Sequence, residues 1–93
     1  LAPGKYLITG GGSGALILAV GSVGDYWRII IADNGVTTAG NIYAAALCHF
    51  RLDGADHTEM GYDTGAGYCA FEIWKTSETR YNVLAIKAAG GQT

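Results

Sequence analysis

Short apolar runs alternate along this chain with breaks rich in glycine and aspartate. Residues 5–9 (KYLIT) form the first run and predict a strand. Residues 10–14 (GGGSG) interrupt it, and residues 15–20 (ALILAV) are apolar at every position. After a second break at 21–25 (GSVGD), residues 26–32 (YWRIIIA) are β-branched and aromatic, which suits a pleated surface. Asp33-Asn34-Gly35 is turn chemistry. In residues 41–52 the even positions read Ile42, Ala44, Ala46, Cys48, Phe50, Leu52 and the odd ones Tyr43, Ala45, Leu47, His49, Arg51, which predicts one long strand with one face inward, although the alanines alone also allow a helix. Residues 53–56 are a turn, 57–62 alternate again, and 63–67 are a turn. Residues 68–75 put Cys69, Phe71 and Ile73 on one face and Tyr68, Ala70, Glu72 and Trp74 on the other. Residues 80–88 form the last strand, ahead of a Gly-Gly tail.

About seven short strands at roughly even spacing predict an all-β, antiparallel β-sandwich occupying residues 1–93 as one domain. Composition sharpens this. Charged residues are 15% of the chain, where about 25% is usual, and apolar residues are 49%, so a domain this small has too little interior to hide them. That points to a partner surface, most simply copies of itself. Net charge is −2 with six Lys and Arg, which argues against nucleic acid and anionic membranes. The longest apolar run is too short to cross a bilayer. The chain starts at Leu1, so a piece of a longer protein is expected.

The glycine cluster admits a second reading. Thr9-Gly10-Gly11-Gly12-Ser13-Gly14 resembles the TGxxxG turn of short-chain dehydrogenases, and Asp33 falls where their ribose-binding carboxylate would. That resemblance implies a fragment of a nicotinamide-dependent enzyme. Against it, the segment that should be the phosphate-binding helix, ALILAVGSVGDY, contains two glycines and no polar face. The family's next glycine is Leu16 here, and no tyrosine has a lysine four residues on. A glycine-rich connection between strands is preferred, and no cofactor is expected.

Other chemistry is sparse. Asp53, Asp56, Glu59 and Asp63 lie close in sequence, with spacing unlike a calcium loop, and read as turn residues on a solvated face. Cys48 and His49 fall on opposite faces of a strand, so they make no nucleophile–base pair. Nothing selects Asp56 and Glu72 as a hydrolytic carboxylate pair. Cys48 and Cys69 both point inward, as small core residues or as a bridge if their strands are neighbours. The expectation is a non-enzyme without a metal site.

The aromatic residues carry more. Trp27, Tyr43, Tyr68, Trp74 and Tyr81 lie on strands with bulky groups on both faces, and outward aromatics serve subunit interfaces or stack on sugar rings. The opening Ala2-Pro3-Gly4-Lys5-Tyr6-Leu7-Ile8 and the closing Tyr81-Asn82-Val83-Leu84-Ala85-Ile86-Lys87 resemble the first and last strands of trimeric jelly-roll heads, a group that includes bacteriophage tail-fibre tips. The resemblance implies a jelly-roll-like β-sandwich that trimerises, displayed on a virion surface or otherwise outside the cell. Its expected work is assembly plus adhesion to a host surface, with a glycan as ligand. The residues expected to bind it are Trp27, Tyr43, Asp56, His57, Tyr62, Tyr68 and Trp74. The alternative in another class is a purely structural capsid-decoration or filament subunit.

Overall fold

The computed structural model describes residues 1–87; the last predicted strand position, 88, and the Gly-Gly tail lie outside the described residues. The described residues are all-β, with nine strands: β1 (Gly4–Ile8), β2 (Gly12–Ile17), β3 (Tyr26–Ile31), β4 (Thr38–Tyr43), β5 (His49–Leu52), β6 (Ala55–His57), β7 (Glu59–Asp63), β8 (Cys69–Ser77) and β9 (Arg80–Lys87). One 3-10 turn, Thr64–Ala66, is capped by the Asp63 side chain, which accepts from the Gly65 N–H at 2.8 Å. Six strands form one sheet in the order β1-β3-β8-β9-β5-β6, and three form a second in the order β2-β4-β7.

The pairing corrects the antiparallel expectation. β1 runs parallel to β3, β2 to β4, and β5 to β9; the other pairs are antiparallel. The reason is the route of the chain. β1 and β3 belong to one sheet, β2 and β4 to the other, so the first four strands alternate between sheets. Two strands of one sheet separated by a strand of the other come back in the same direction. Side-chain alternation reports burial and is blind to this choice.

Two predicted strands are each divided. Residues 41–52 end one strand at Tyr43, turn through residues 44–48, and begin another at His49, in the opposite sheet. Three consecutive alanines, Ala44 to Ala46, give the ladder no bulk to hold. Leu47 takes a left-handed conformation (φ 65°) to make the crossing. The 57–62 run becomes β6 and β7, again in different sheets. Asp53 and Gly54, both at positive φ, form the two-residue hairpin turn between β5 and β6 that Asp-Gly favours.

A single core joins the sheets. Trp27, Ile29 and Ile31 from β3, Cys69, Phe71 and Ile73 from β8, and Phe50 and Tyr81 from β5 and β9 meet Ile42, Met60 and Tyr62 from the smaller sheet. The period of two puts alternate residues of β3 and β8 on the opposite, outer face of the larger sheet.

The glycine cluster has its structural use here. Gly12 to Gly14 lie in β2, with Gly14 opposite Gly40 of β4. A Cβ on Gly40 would collide with the Gly14 carbonyl and stand 2.8 Å from the Tyr62 hydroxyl. No helix follows the cluster, so the strand–turn–helix that a dinucleotide site requires is not formed.

Candidate functional site

The outer face of the six-stranded sheet carries the most organised constellation of side chains. Cross-strand register aligns Tyr26 of β3, Trp74 of β8, Asn82 of β9, Arg51 of β5 and Asp56 of β6 in one row across five strands. The Trp74 ring is 42% exposed. Tyr26 props it edge-on, with ring centres 5.4 Å apart at 62°, a favourable aromatic geometry. The Tyr26 hydroxyl donates to Glu72 Oε2 at 2.7 Å, and the Thr76 hydroxyl to Asn82 Oδ1 at 2.6 Å. Trp74 is thus a fixed apolar plate rimmed by a carboxylate, an amide and a hydroxyl.

The hydrogen bond to Glu72, together with desolvation and the carboxylate's charge, holds the Tyr26 phenol above its ordinary value, against the opposing pull of Arg28. At the far end of the row Asp56 meets Arg51 at 3.3 Å and Arg80 at 3.4 Å. Desolvation pushes its carboxyl up, but the two guanidiniums outweigh this and hold it below the usual value. Beside the row, a depression of about 260 Å³ lined by Lys5, Tyr6, Leu7, Arg28 and Ile30 meets a second of about 150 Å³ bordered by Glu72 and Lys87. Both are lined by Arg28, which makes no ion pair among the described residues.

The seven predicted ligand residues do not form one site. Trp74 and Asp56 share the row. Tyr68, half exposed, immediately precedes β8, with Lys87 Nζ 4.0 Å from its ring centre. Tyr43 lies on the smaller sheet, opposite Ile17 and Glu59. His57 pairs with Phe50, so alternation turns it away from the face that Asp56 presents. Two residues are corrections, because neither presents a free ring. Trp27 is fully buried, its indole N–H donating to the Leu1 carbonyl at 3.0 Å. Tyr62 is buried under β2, and that burial raises its phenol's pKa.

Sequence reasoning missed Tyr26, Arg28 and Asn82 as members of the face. Each adjoins Trp27 or Tyr81 in sequence, so taking those two aromatics as outward hid their neighbours, and only their burial in the structure turns Tyr26, Arg28 and Asn82 outward.

Glu72 and Asp56 stand three strand spacings apart, about 14 Å, beyond the separation that glycoside hydrolysis uses. Cys48 and Cys69 are both free and buried. Among the described residues no three of His, Cys, Asp and Glu gather as a metal ion would need. No family model matches the chain, and no curated protein or solved structure matches it either.

Proposed function

We propose that the chain is a non-enzymatic binding and assembly domain of an extracellular fibre, such as a virion's, and that it holds a cell-surface glycan on the row from Tyr26 to Asp56. One observation carries the reading: a half-exposed Trp74, braced by Tyr26 and rimmed by Glu72, Thr76 and Asn82. A sugar ring offers an apolar C–H face and equatorial hydroxyls. A braced indole takes the first, and carboxylate and amide oxygens take the second. The row runs across five strands, so it suits an oligosaccharide laid along it more than a single sugar.

Assembly is the second half of the proposal. Leu47 is 90% exposed and Leu7 67% exposed, and Ile17 and Leu84 are also more than half exposed. A 93-residue domain with this much aliphatic surface gains by covering it with copies of itself. A trimer is the state that the resemblance to fibre heads implies. Glycan-array binding by the wild type, lost in Trp74→Ala with self-association intact, is the expected result. Undiminished binding by Trp74→Ala removes the row as the site. The same exposed aliphatics favour the alternative, a structural decoration or filament subunit, which array silence combined with tight self-association would select.

A further inference from the structure

Among the described residues, Lys75 is the charged side chain that lies in the core, 1% exposed on the inward face of β8. Lysines are almost never buried in this way without dedicated partners. Its Nζ donates to the Val20 carbonyl at 2.7 Å and to Cys48 Sγ at 3.5 Å, and lies 4.4 Å from the centre of the Tyr81 ring. The Tyr81 hydroxyl donates to the Ala19 carbonyl at 2.6 Å and shares the Val20 carbonyl at 3.2 Å. The amine is therefore caged on two sides by oxygen and ring and rests its third side on sulfur.

The cage is reachable. A depression of about 420 Å³ opens over it, lined by Val20 to Val23, Lys75 and Glu78. Lys75 Nζ and the Glu78 carbonyl, the latter 3.7 Å from the sulfur, both contact Cys48 Sγ, and both residues line the depression. A peroxide entering the depression meets Lys75 and Glu78, two residues that contact the thiol.

We infer that Cys48 and Lys75 are an oxidant-driven modification site, closing a covalent bond between Sγ and Nζ. The oxidant is a hydroperoxide. The sulfur attacks one peroxide oxygen and the O–O bond breaks, giving a sulfenic acid and the peroxide's alcohol, which is water when the oxidant is hydrogen peroxide; sulfur is oxidised and the peroxide reduced. Nζ, having released its ammonium proton to solvent, attacks the sulfenic sulfur. The N–S bond forms, the S–O bond breaks, and the departing hydroxide takes an N–H proton and leaves as water. The product is a sulfenamide, the same condensation that sulfenic acids undergo with backbone nitrogen. A reducing thiol attacks the sulfur and returns the free amine.

The link would tie the crossing between β4 and β5 to the end of β8, joining residues 27 positions apart. Cys69 is the internal control. It is also buried and free, but its thiol contacts the Gly67 carbonyl at 4.0 Å, and among the described residues no amine is hydrogen-bonded to the sulfur.

The test treats the intact protein with hydrogen peroxide and maps its peptides without reduction. The expected product is a Cys48–Lys75 linked peptide, lighter than its two parts by two hydrogens and released by dithiothreitol. The linked protein melts higher by on the order of 10 °C, as a covalent loop of this size predicts. Lys75→Arg, which keeps the charge, forms no link, and its Cys48 proceeds to sulfinic acid. Wild-type Cys48 reaching sulfinic acid unlinked, or staying reduced while Cys69 oxidises, overturns the inference.

Discussion

Replacing Tyr81 by Phe tests the buried polar cage through its dependence on pH. Tyr81 is fully buried, and burial first, then the neighbouring Cys48, pushes its phenol up to about 12, against a free value of about 10. The folded pKa lies above the unfolded one. The stability this group lends is therefore complete below pH 10 and is lost as pH climbs from 10 toward 12, where the unfolded chain ionises and the folded one does not. Two pKa units correspond to about 3 kcal/mol in the limit, of which about 1 kcal/mol has gone by pH 11. At neutral pH, Tyr81→Phe removes the hydroxyl that serves the Ala19 and Val20 carbonyls, at a cost of about 1–2 kcal/mol. Val20 keeps its bond from Lys75, which limits the loss. The wild type should lead by about that margin at pH 7 and lose the lead by about pH 11, because only it titrates at this position. The raised phenols of Tyr26 and Tyr62 are common to both proteins and cancel in the difference. Urea unfolding of both proteins at pH 7, 9, 10 and 11, followed by tryptophan fluorescence, measures the gap. A gap that stays constant across that range would show that Tyr81 ionises no differently in the folded state, and would refute the reasoning.

Two further outcomes follow from the geometry. Gly40→Ala should cost about 3 kcal/mol or more, since its methyl meets the Gly14 backbone and the Tyr62 hydroxyl, whereas Gly14→Ala, with open space around it, should fall within about 1 kcal/mol of wild type; thermal melts of the two variants separate these cases. Leu7→Glu combined with Leu84→Glu should lower the solution mass measured by light scattering while leaving the circular dichroism spectrum unchanged, and an unaltered mass removes this face from the assembly surface.

What the sequence disclosed was parity. In β3 and β8, strong residues alternate with weaker or polar ones, and the inward set Cys69, Phe71, Ile73 and the outward set Ala70, Glu72, Trp74 both stand where alternation puts them. Parity failed where side chains were too small to declare a side, as at Ala44 to Ala46, and where a strand changed sheets at a point with no glycine or proline, as near Thr58. It also could not see direction, so the parallel pairs were illegible. Trp27 and Tyr62 were misplaced for a related reason. An aromatic residue with a polar atom fits either face, and the choice rests on partners distant in sequence: the Leu1 carbonyl for one and the Gly14 carbonyl for the other. Lys75 was the least legible of all, because a lysine at an inward position reads as a strand end until its acceptors are in place.

The three residues Ile73, Trp74 and Lys75 show how closely the two proposed sites depend on one register. Their partners on β9 are Val83, Asn82 and Tyr81, and the pairing is irregular on both sides of this block, between Glu72 and Ile73 and between Lys75 and Ser77. At the first irregularity β9 carries the additional residue, Leu84; at the second β8 does, Thr76; both point into solvent. A bulge fixes pairing by making a neighbouring register lose hydrogen bonds, and it re-aims the side chains beside it. Framed this way, the block cannot slip by one residue without carrying Trp74 into the core and Lys75 out of it. That slip would remove the aromatic plate from the outer face and separate Nζ from Cys48 in the same step. The proposed glycan row and the Cys48–Lys75 pair are therefore opposite faces of one locked segment. A change that loosens either bulge should weaken both together, while Trp74→Ala or Lys75→Arg should affect only its own side.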